Sequence, residues 1–360
     1  MLKYLWVYSA ASERVVQWHN KLIQRRREQG YDIEGFCCTP PYLCDMNWLP
    51  FCDLDRLWRI GYPPLMRMYG ELLEALKGRN VLVHYNGANL HPEIVKEIDI
   101  FKVYTAADDP ESTEKLTKPV ARYYDLHLIN NIACIDMYKG WGLKDVFFWP
   151  LGSLRFPEET DLTKDKILDI SLRRNQLVYI GEQNIYKKDF FDQFQKRYPS
   201  AQCWGNGWPN GYISPEGMHD LYMHSQVGVN IHNSTGPINF RTYELPAYGV
   251  MQICDNKSNL GKIFRLDEEV VGFDNSDECM EKVEYYLSHP KEQREIALGG
   301  WQRWYQEYTP DAVWKKLAEH VERHYVERNN EYIPALQKKL KDQGKHYYWK
   351  KLVAHFRNSK

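Results

Sequence analysis

The stretch from Val227 to Asp255, "VGVNIHNSTGPINFRTYELPAYGVMQICD", decides how the whole chain is read. An apolar run ends near Ile231, a polar loop carrying Gly236 follows, Pro237 stands where a helix is expected to begin, and "VMQICD" reads as the next strand. Strand, helix and strand in that order form a parallel β-α-β unit. A helix that begins just past a strand end leaves its first-turn N–H groups free to meet an anion, and a diphosphate suits that position. Arg241, about one turn in, can add a bidentate contact to phosphate oxygens. Glu244, three residues further, falls on nearly the same face and suits hydroxyls, as on the ribose of a nucleotide. The same spacing also fits an intrahelical ion pair beside a simple turn, and both readings stand at this point.

Working outward, the C-terminal half continues the alternation. Strands are expected at "LVYIG", "AQCW", "VGVNI", "VMQICD" and "VVGF", separated by helices such as "KKDFFDQFQKRY" and "SPEGMHDLYMHSQ", the latter opened by Ser214 and Pro215. The N-terminal half alternates in the same way, with strands at "LKYLWVY", "YDIEGFCCT", "NVLVHY", "KVYTA", "DLHLIN" and "VFFWP". Between the halves, Phe156 to Arg174 is polar and charged and reads as a linker. The fold class is therefore α/β, with two Rossmann-like doubly wound domains in tandem: residues 1–160, residues 170–310, and C-terminal helices with a basic aromatic tail over 311–360. Ligands of such sheets bind outside the carboxyl ends of the strands, so a central cleft between two such domains is the expected site.

Composition agrees with a globular chain of this size. The 360 residues fit two domains of about 150 residues each. Twelve Trp and 26 Tyr are a heavy aromatic load, useful both for cores and for stacking on sugars and bases. No apolar run approaches the roughly 18 residues a spanning helix needs, and the opening "MLKYLWVYSA" reads as a buried strand rather than a secretory leader, so a cytoplasmic location is expected. Eight cysteines form no CxxC pair, which favours reduced thiols, and the spacing of Cys37, Cys38, Cys44 and Cys52 matches no common zinc site. Charge is segregated: Leu336 to Lys360 carries eight Lys or Arg against one Asp. With Tyr347, Tyr348, Trp349 and Phe356 interleaved, that tail is compatible with DNA, with an anionic membrane surface, or with docking on the N-terminal lobe through its aromatics.

From Gly228 the run "GVNIH…NFRTYELPAYGVMQICD…LGKIFRLDEEVVGFDNSDECMEKVEYYLSHPKEQREIALGGWQRWYQEYT" resembles the C-terminal domain of GT-B glycosyltransferases, and in particular the branch similar to the spore maturation protein CgeB. The likeness is good over Leu177 to Thr309 and architectural elsewhere. It implies a GT-B fold, a nucleotide-diphosphate sugar as co-substrate, UDP-sugar above all, and no further cofactor or metal. By the resemblance Glu244 matches the second Glu of the retaining Glu-x7-Glu pattern, the residue that binds the donor ribose. The first Glu of that pattern would stand eight positions earlier, where this chain has Gly236. That departure leaves donor sugar and stereochemical outcome open, with backbone around Gly236 to Asn239 as the remaining anchor.

The same fold nominates further donor-side residues. Gly181 ends a strand, Lys187 and Lys188 open a helix and can meet the diphosphate, and Trp204 and Gly205 stand in a Gly-rich loop placed like one that contacts the nucleobase. Thr242 and Asn239 flank Arg241 and complete the set. His232, with Asn233, ends a strand and reads either as a cleft residue or as a satisfied structural histidine. In the N-terminal domain, "TAADDPES" places Asp108 and Asp109 directly after a strand, and CgeB-like proteins carry a similar Asp-Asp-Pro. Adjacent residues on an extended chain point opposite ways, so one of the two carboxylates is expected to serve as general base or acceptor-orienting group. Pro110 after Asp109 favours a capping role for that residue and catalysis for Asp108. His84, Asn86 and the Ser9 to Ser12 loop form further polar strand ends.

The expected activity is transfer of a sugar from a nucleotide-diphosphate donor to a hydroxyl acceptor, a polysaccharide or lipid-linked glycan. The alternatives are a DNA-modifying glycosyltransferase acting on hydroxymethylated bases, a non-catalytic nucleotide or sugar-binding module, and a nucleotide-sugar epimerase of the same fold.

Overall fold

The computed structural model describes residues 1–43, 48–183, 187–328 and 331–358, with side chains to residue 347. Cys44 and the side chains of Tyr348, Trp349 and Phe356, all named above, lie outside the described residues. The chain divides into two units. The first is Met1–Asn130 with Cys134–Phe148 and Leu317–Lys360, and the second is Asn131–Ala133 with Trp149–Lys316.

The first unit holds a six-stranded sheet of β1 (Lys3–Tyr8), β2 (Asp32–Cys37), β3 (Val81–Tyr85), β4 (Phe101–Ala106), β5 (Leu126–Ile129) and β6 (Val146–Phe148), in the order β2-β1-β3-β4-β5-β6. The second holds a five-stranded sheet of β7 (Asn175–Ile180), β8 (Gln202–Trp204), β9 (Ser225–Asn230), β10 (Met251–Cys254) and β11 (Val271–Gly272), in the order β11-β10-β9-β7-β8. Every pairing in both sheets is parallel. Each of the eleven expected strands is present. The reason is local: sheets covered on both faces need near-continuous apolar runs, and all six residues of β4 are buried.

In both sheets the first strand has its successor on one side and the next strand on the other. β1 lies between β2 and β3, and β7 between β8 and β9. The strand order thus reverses at β1/β3 and at β7/β9, where the connecting chains diverge and leave a crevice above the carboxyl ends.

One expectation needs correction, and of the readings open for the tail the docked one is seen. Residues 156–174 are not an open linker: Phe156, Ile167 and Arg173 are buried, and short helices occupy Pro157–Glu159, Lys164–Leu168 and Ile170–Leu172. Arg173 donates from Nη1 to the carbonyls of Met223 and Tyr248 at 2.9 and 3.0 Å, satisfying acceptors that helix and turn ends leave open. The tail begins as a docked helix, Tyr332–Asn358, packed on helices Phe51–Ile60 and Pro63–Leu76 through buried Leu336 and Leu340. Gln343 Nε2 donates to the Trp58 carbonyl at 2.7 Å, and a β-carbon on Gly61 would stand 2.1 Å from the Gln343 carbonyl oxygen, so the helix passes directly over that left-handed turn. Lys338, Lys341 and Lys345 remain exposed on it. Among the described residues no helix is long and apolar enough to cross a membrane, and all seven described cysteines are free thiols.

Candidate functional site

The crevice at β7/β9 is built around Arg241. Strand β9 delivers the chain to the 231–240 loop, and Arg241 is the first residue of the following helix, Arg241–Ala247. Its guanidinium spans the ends of both strands: Nη1 donates to the Ile180 carbonyl at 2.5 Å, Nη2 to the Ile231 carbonyl at 2.9 Å, and Nε to Asn230 Oδ1 at 3.0 Å. The Tyr179 ring lies 4.8 Å beneath the guanidinium carbon. Arg241 makes no ion pair among the described residues, so a full positive charge is held at the strand ends by uncharged acceptors. The intrahelical pair with Glu244 is not formed. Gly181 and Gly205 are glycines because backbone and side chain close in here: a β-carbon on Gly181 would be 1.8 Å from Arg241 Nη1, and one on Gly205, at φ +129, would be 2.3 Å from the Gly181 carbonyl oxygen.

The helix start differs from expectation. It begins at Arg241 rather than Pro237, and the N–H groups of Thr242, Tyr243 and Glu244 already have acceptors within the chain. Asn239 Oδ1 accepts the Thr242 N–H at 3.0 Å, and the Phe240 carbonyl accepts those of Tyr243 and Glu244 at 3.0 and 2.8 Å. Asn239 therefore caps the helix, and it is locked to Asn230 by an amide-to-amide contact of 2.9 Å. Thr242 is fully buried; its hydroxyl accepts from Asn230 Nδ2 at 3.1 Å, donates to Asn239 Oδ1 at 3.2 Å and lies 3.0 Å from His232 Nε2. His232 Nδ1 then carries the proton to Asp255 Oδ1, 2.6 Å away, while its backbone N–H donates to Asp255 Oδ2. Burial lowers the pKa of this imidazole, against the opposing pull of Asp255. With Cys254 nearby, His232 and Asp255 form a group of three metal-capable side chains, but this hydrogen-bonding pattern makes the histidine a strut for Thr242.

Glu244 is 4% exposed. Its Oε1 accepts the Leu154 N–H at 2.6 Å, whereas Oε2 lies 4.0 Å from Arg155 Nε and accepts no hydrogen bond. Burial raises its pKa to about 7, against the opposing pull of the Leu154 N–H and of Arg155. A buried carboxylate oxygen without a donor costs free energy, and a ligand hydroxyl would satisfy it. Nε of Arg155 and Nε1 of Trp204, at the end of β8, are among the other buried polar atoms of this unit without a hydrogen-bond partner. Beside them Tyr248 receives the Arg155 guanidinium at 5.9 Å from its ring and contacts His219 Nδ1 through its hydroxyl at 3.2 Å. Arg155 and His219 escaped the sequence reading, because each acquires its meaning from a neighbour remote in the chain.

The remaining donor-side candidates separate. Lys188 is exposed and paired with Asp192, while Lys187 is half-buried just before the helix and has no ion pair among the described residues. At Gly236 a β-carbon would fall 2.0 Å from Asn131 Oδ1. The Asn131 amide occupies that space, donating to Ser234 Oγ at 3.1 Å and accepting the Ala133 N–H at 3.0 Å. A side chain at position 236 would therefore have to displace the Asn131 amide.

In the first unit the two adjacent aspartates part completely. Asp109 is 1% exposed, and its carboxylate accepts from the hydroxyls of Ser112, Thr113, Thr117 and Tyr138 at 3.3, 3.0, 2.8 and 2.5 Å. It is a structural anchor, which corrects its place among catalytic candidates. Asp108 is exposed at the end of β4, its Oδ2 accepting from Asn86 Nδ2 at 2.8 Å. Asn86, in the left-handed region at φ 63, ends β3 and accepts the Ala107 N–H through Oδ1 at 3.3 Å. His84 is buried between the Tyr124 hydroxyl and the Ala88 carbonyl, and burial lowers its pKa to about 4. Ser9 is buried, and Ser12 precedes helix Glu13–Glu28 without a side-chain cap.

Residues 183–319 match the model of a family described as glycosyl transferase-like. No curated protein sequence matches the chain. Among solved structures, it is similar to Anabaena Alr3699/HepE in complex with UDP, at 10% identity and a TM-score of 0.56 over 89% of this chain and 100% of that one. Sucrose-phosphate synthase from Thermosynechococcus elongatus is similar at 11% identity and a TM-score of 0.57, over 89% and 98% of the two chains. An alpha-glucosyltransferase in complex with UDP and a 13-mer DNA containing an HMU base gives 11% identity and a TM-score of 0.56, over 89% and 100%. Two parallel α/β units with these neighbours constitute a GT-B fold, within which residues 183–319 match a glycosyl transferase-like family.

Proposed function

We propose that the protein transfers a sugar from a nucleotide-diphosphate sugar to a hydroxyl acceptor, and that the β7/β9 crevice holds the donor. The observation that carries this reading is Glu244: a buried carboxylate with one oxygen engaged by backbone and the other awaiting a donor, within the same short helix as a carboxylate-free Arg241. Ribose hydroxyls suit the first, and the diphosphate suits the second together with Lys187. Similarity to UDP-bound structures of the same fold supports UDP as the nucleotide, and the sequence pattern supports the CgeB-like branch. A further partner for the base is Trp204 Nε1.

During transfer the bond between the anomeric carbon and the diphosphate oxygen breaks, its electron pair leaves with the diphosphate, and the acceptor oxygen bonds to that carbon. Arg241 and Lys187 stabilise the developing negative charge without need of a metal. If configuration inverts, the acceptor proton passes to Asp108; if it is retained, the leaving phosphate takes it and Asp108 orients the acceptor. We place the reaction in the cytoplasm, with a glycan as acceptor.

A thermal-shift screen of nucleotide sugars tests the donor assignment, since a ligand at many times its Kd stabilises the folded state by a few kcal/mol. UDP-sugars should raise Tm in the wild type and not in Glu244→Ala; no shift with any donor sinks the reading. Donor binding without turnover on any acceptor or water would make the protein a binding module instead. The DNA-bound neighbour and the exposed lysines of the last helix favour hydroxymethylated DNA as second acceptor class. Salt-sensitive DNA binding lost on deleting residues 336–360 would support it.

A further inference from the structure

A cavity of about 640 Å3 opens in the first unit, and none of its lining residues belongs to the set assigned above. That volume lies in the range of small-ligand clefts. One wall is a run of stacked rings: Phe51 on His91 at 5.9 Å between centroids, and His91 on Trp58 at 5.0 Å. His91 Nδ1 accepts the Glu93 N–H at 3.2 Å, so Nε2 carries the proton and faces Asp55 Oδ1 at 3.4 Å. Asp55 Oδ2 in turn pairs with Arg59 Nε at 2.7 Å. The opposite wall carries Glu114, paired with Lys118 at 2.6 Å, and Arg122, whose guanidinium lies 4.9 Å over the Tyr123 ring and donates to its hydroxyl at 2.8 Å.

Both walls are fixed from behind. The Glu114 turn is held by the buried Asp109 carboxylate through Ser112, Thr113 and Thr117, which is the role left to that residue once catalysis is removed. Glu93 at the rim is pinned by Lys339 of the last helix at 3.0 Å. A cavity with rigid walls loses little entropy on binding.

From this arrangement we infer that the cavity is a carbohydrate subsite for a neutral oligosaccharide, the acceptor glycan if the sugar-transfer reading above holds. Its lining charges balance, with Asp55, Glu93 and Glu114 against Arg59, Lys118 and Arg122. A lining without net charge offers a polyanion no net attraction, whereas acceptors alternating with donors match vicinal hydroxyls, each of which both donates and accepts. The aromatic wall and Tyr123 supply apolar surface for the C–H face of a sugar ring.

Isothermal titration of the full chain with maltotetraose, with cellotetraose and, as polyanionic control, with tetragalacturonate tests the inference, with UDP titrated in parallel. The double variant Glu114→Ala/Arg122→Ala removes exposed rim groups, Glu114 being 75% exposed, and the fold should survive it. At least one neutral tetrasaccharide should bind the wild type and bind the variant at least tenfold more weakly, with UDP affinity and Tm unchanged. The inference is overturned if neither neutral sugar binds, if the variant binds as the wild type does, or if only tetragalacturonate binds. UDP binding without glycan binding sinks this subsite alone; glycan binding without UDP binding sinks only the donor assignment.

Discussion

Gly181 at the end of β7 lies directly against the guanidinium of Arg241: a β-carbon there would stand 1.8 Å from Nη1. Glycine is therefore the condition for Arg241 to reach the Ile180 carbonyl across the strand order reversal. Gly181→Ala should push the arginine out of the crevice and weaken UDP binding at least tenfold, about 1.4 kcal/mol. Titration calorimetry on the folded variant checks it; unchanged affinity would detach Arg241 from the diphosphate.

Glu244 should make stability fall with rising pH. Burial raises its pKa from 4.5 to about 7, so the unfolded chain loses this proton first. The contribution is complete below pH 4.5 and lost as pH climbs to 7, for a total on the order of 3 kcal/mol. Glu244→Gln should remove that slope, which urea denaturation at pH 5 and pH 8 would reveal as a gap between variant and wild type that opens at the higher pH.

Donor affinity should run the other way. Hydroxyl donors favour the ionised carboxylate, so UDP binding should tighten between pH 5.5 and pH 8 in the wild type. A profile equally steep in Glu244→Gln would assign the titration to another group.

The two adjacent aspartates should give opposite phenotypes. Asp108→Asn should reduce kcat with little change in stability, because the side chain is exposed and makes one hydrogen bond to Asn86. Asp109→Asn should cost about 2 kcal/mol or more, since an amide cannot accept all the hydroxyls gathered there. Paired kcat and urea midpoints separate the roles.

Restoring the absent carboxylate should fail. Gly236→Glu drives a side chain into Asn131, whose Oδ1 would stand 2.0 Å from the new β-carbon, and should lower Tm. Asn131→Ala/Gly236→Glu should recover part of that loss; equal Tm for the single variant and the wild type would show the loop yields freely.

All eleven strands and the two-unit α/β plan are legible in the chain, because an apolar run between helical patterns states its burial locally. Helix boundaries near the site are not. The sequence places the start at Pro237, yet the Asn239 side chain and the Phe240 carbonyl take the first-turn donors, a competition among close neighbours that spacing does not resolve. Residues 156–174 look polar enough for a linker, but Phe156, Ile167 and Arg173 each find a buried place.

What the sequence by itself determined is the alternation of strands and helices in both halves of the chain and the presence of an arginine and a glutamate just past β9. Tertiary structure decided what they do. Arg241 meets Ile180, 61 residues back, and Glu244 meets Leu154, 90 residues back. Asp109 is withdrawn from chemistry by Tyr138, 29 residues on. A side chain's charge is written in its own codon position, but its desolvation and its hydrogen-bond partners are properties of the folded neighbourhood, and these set which carboxylate is strut and which is ligand.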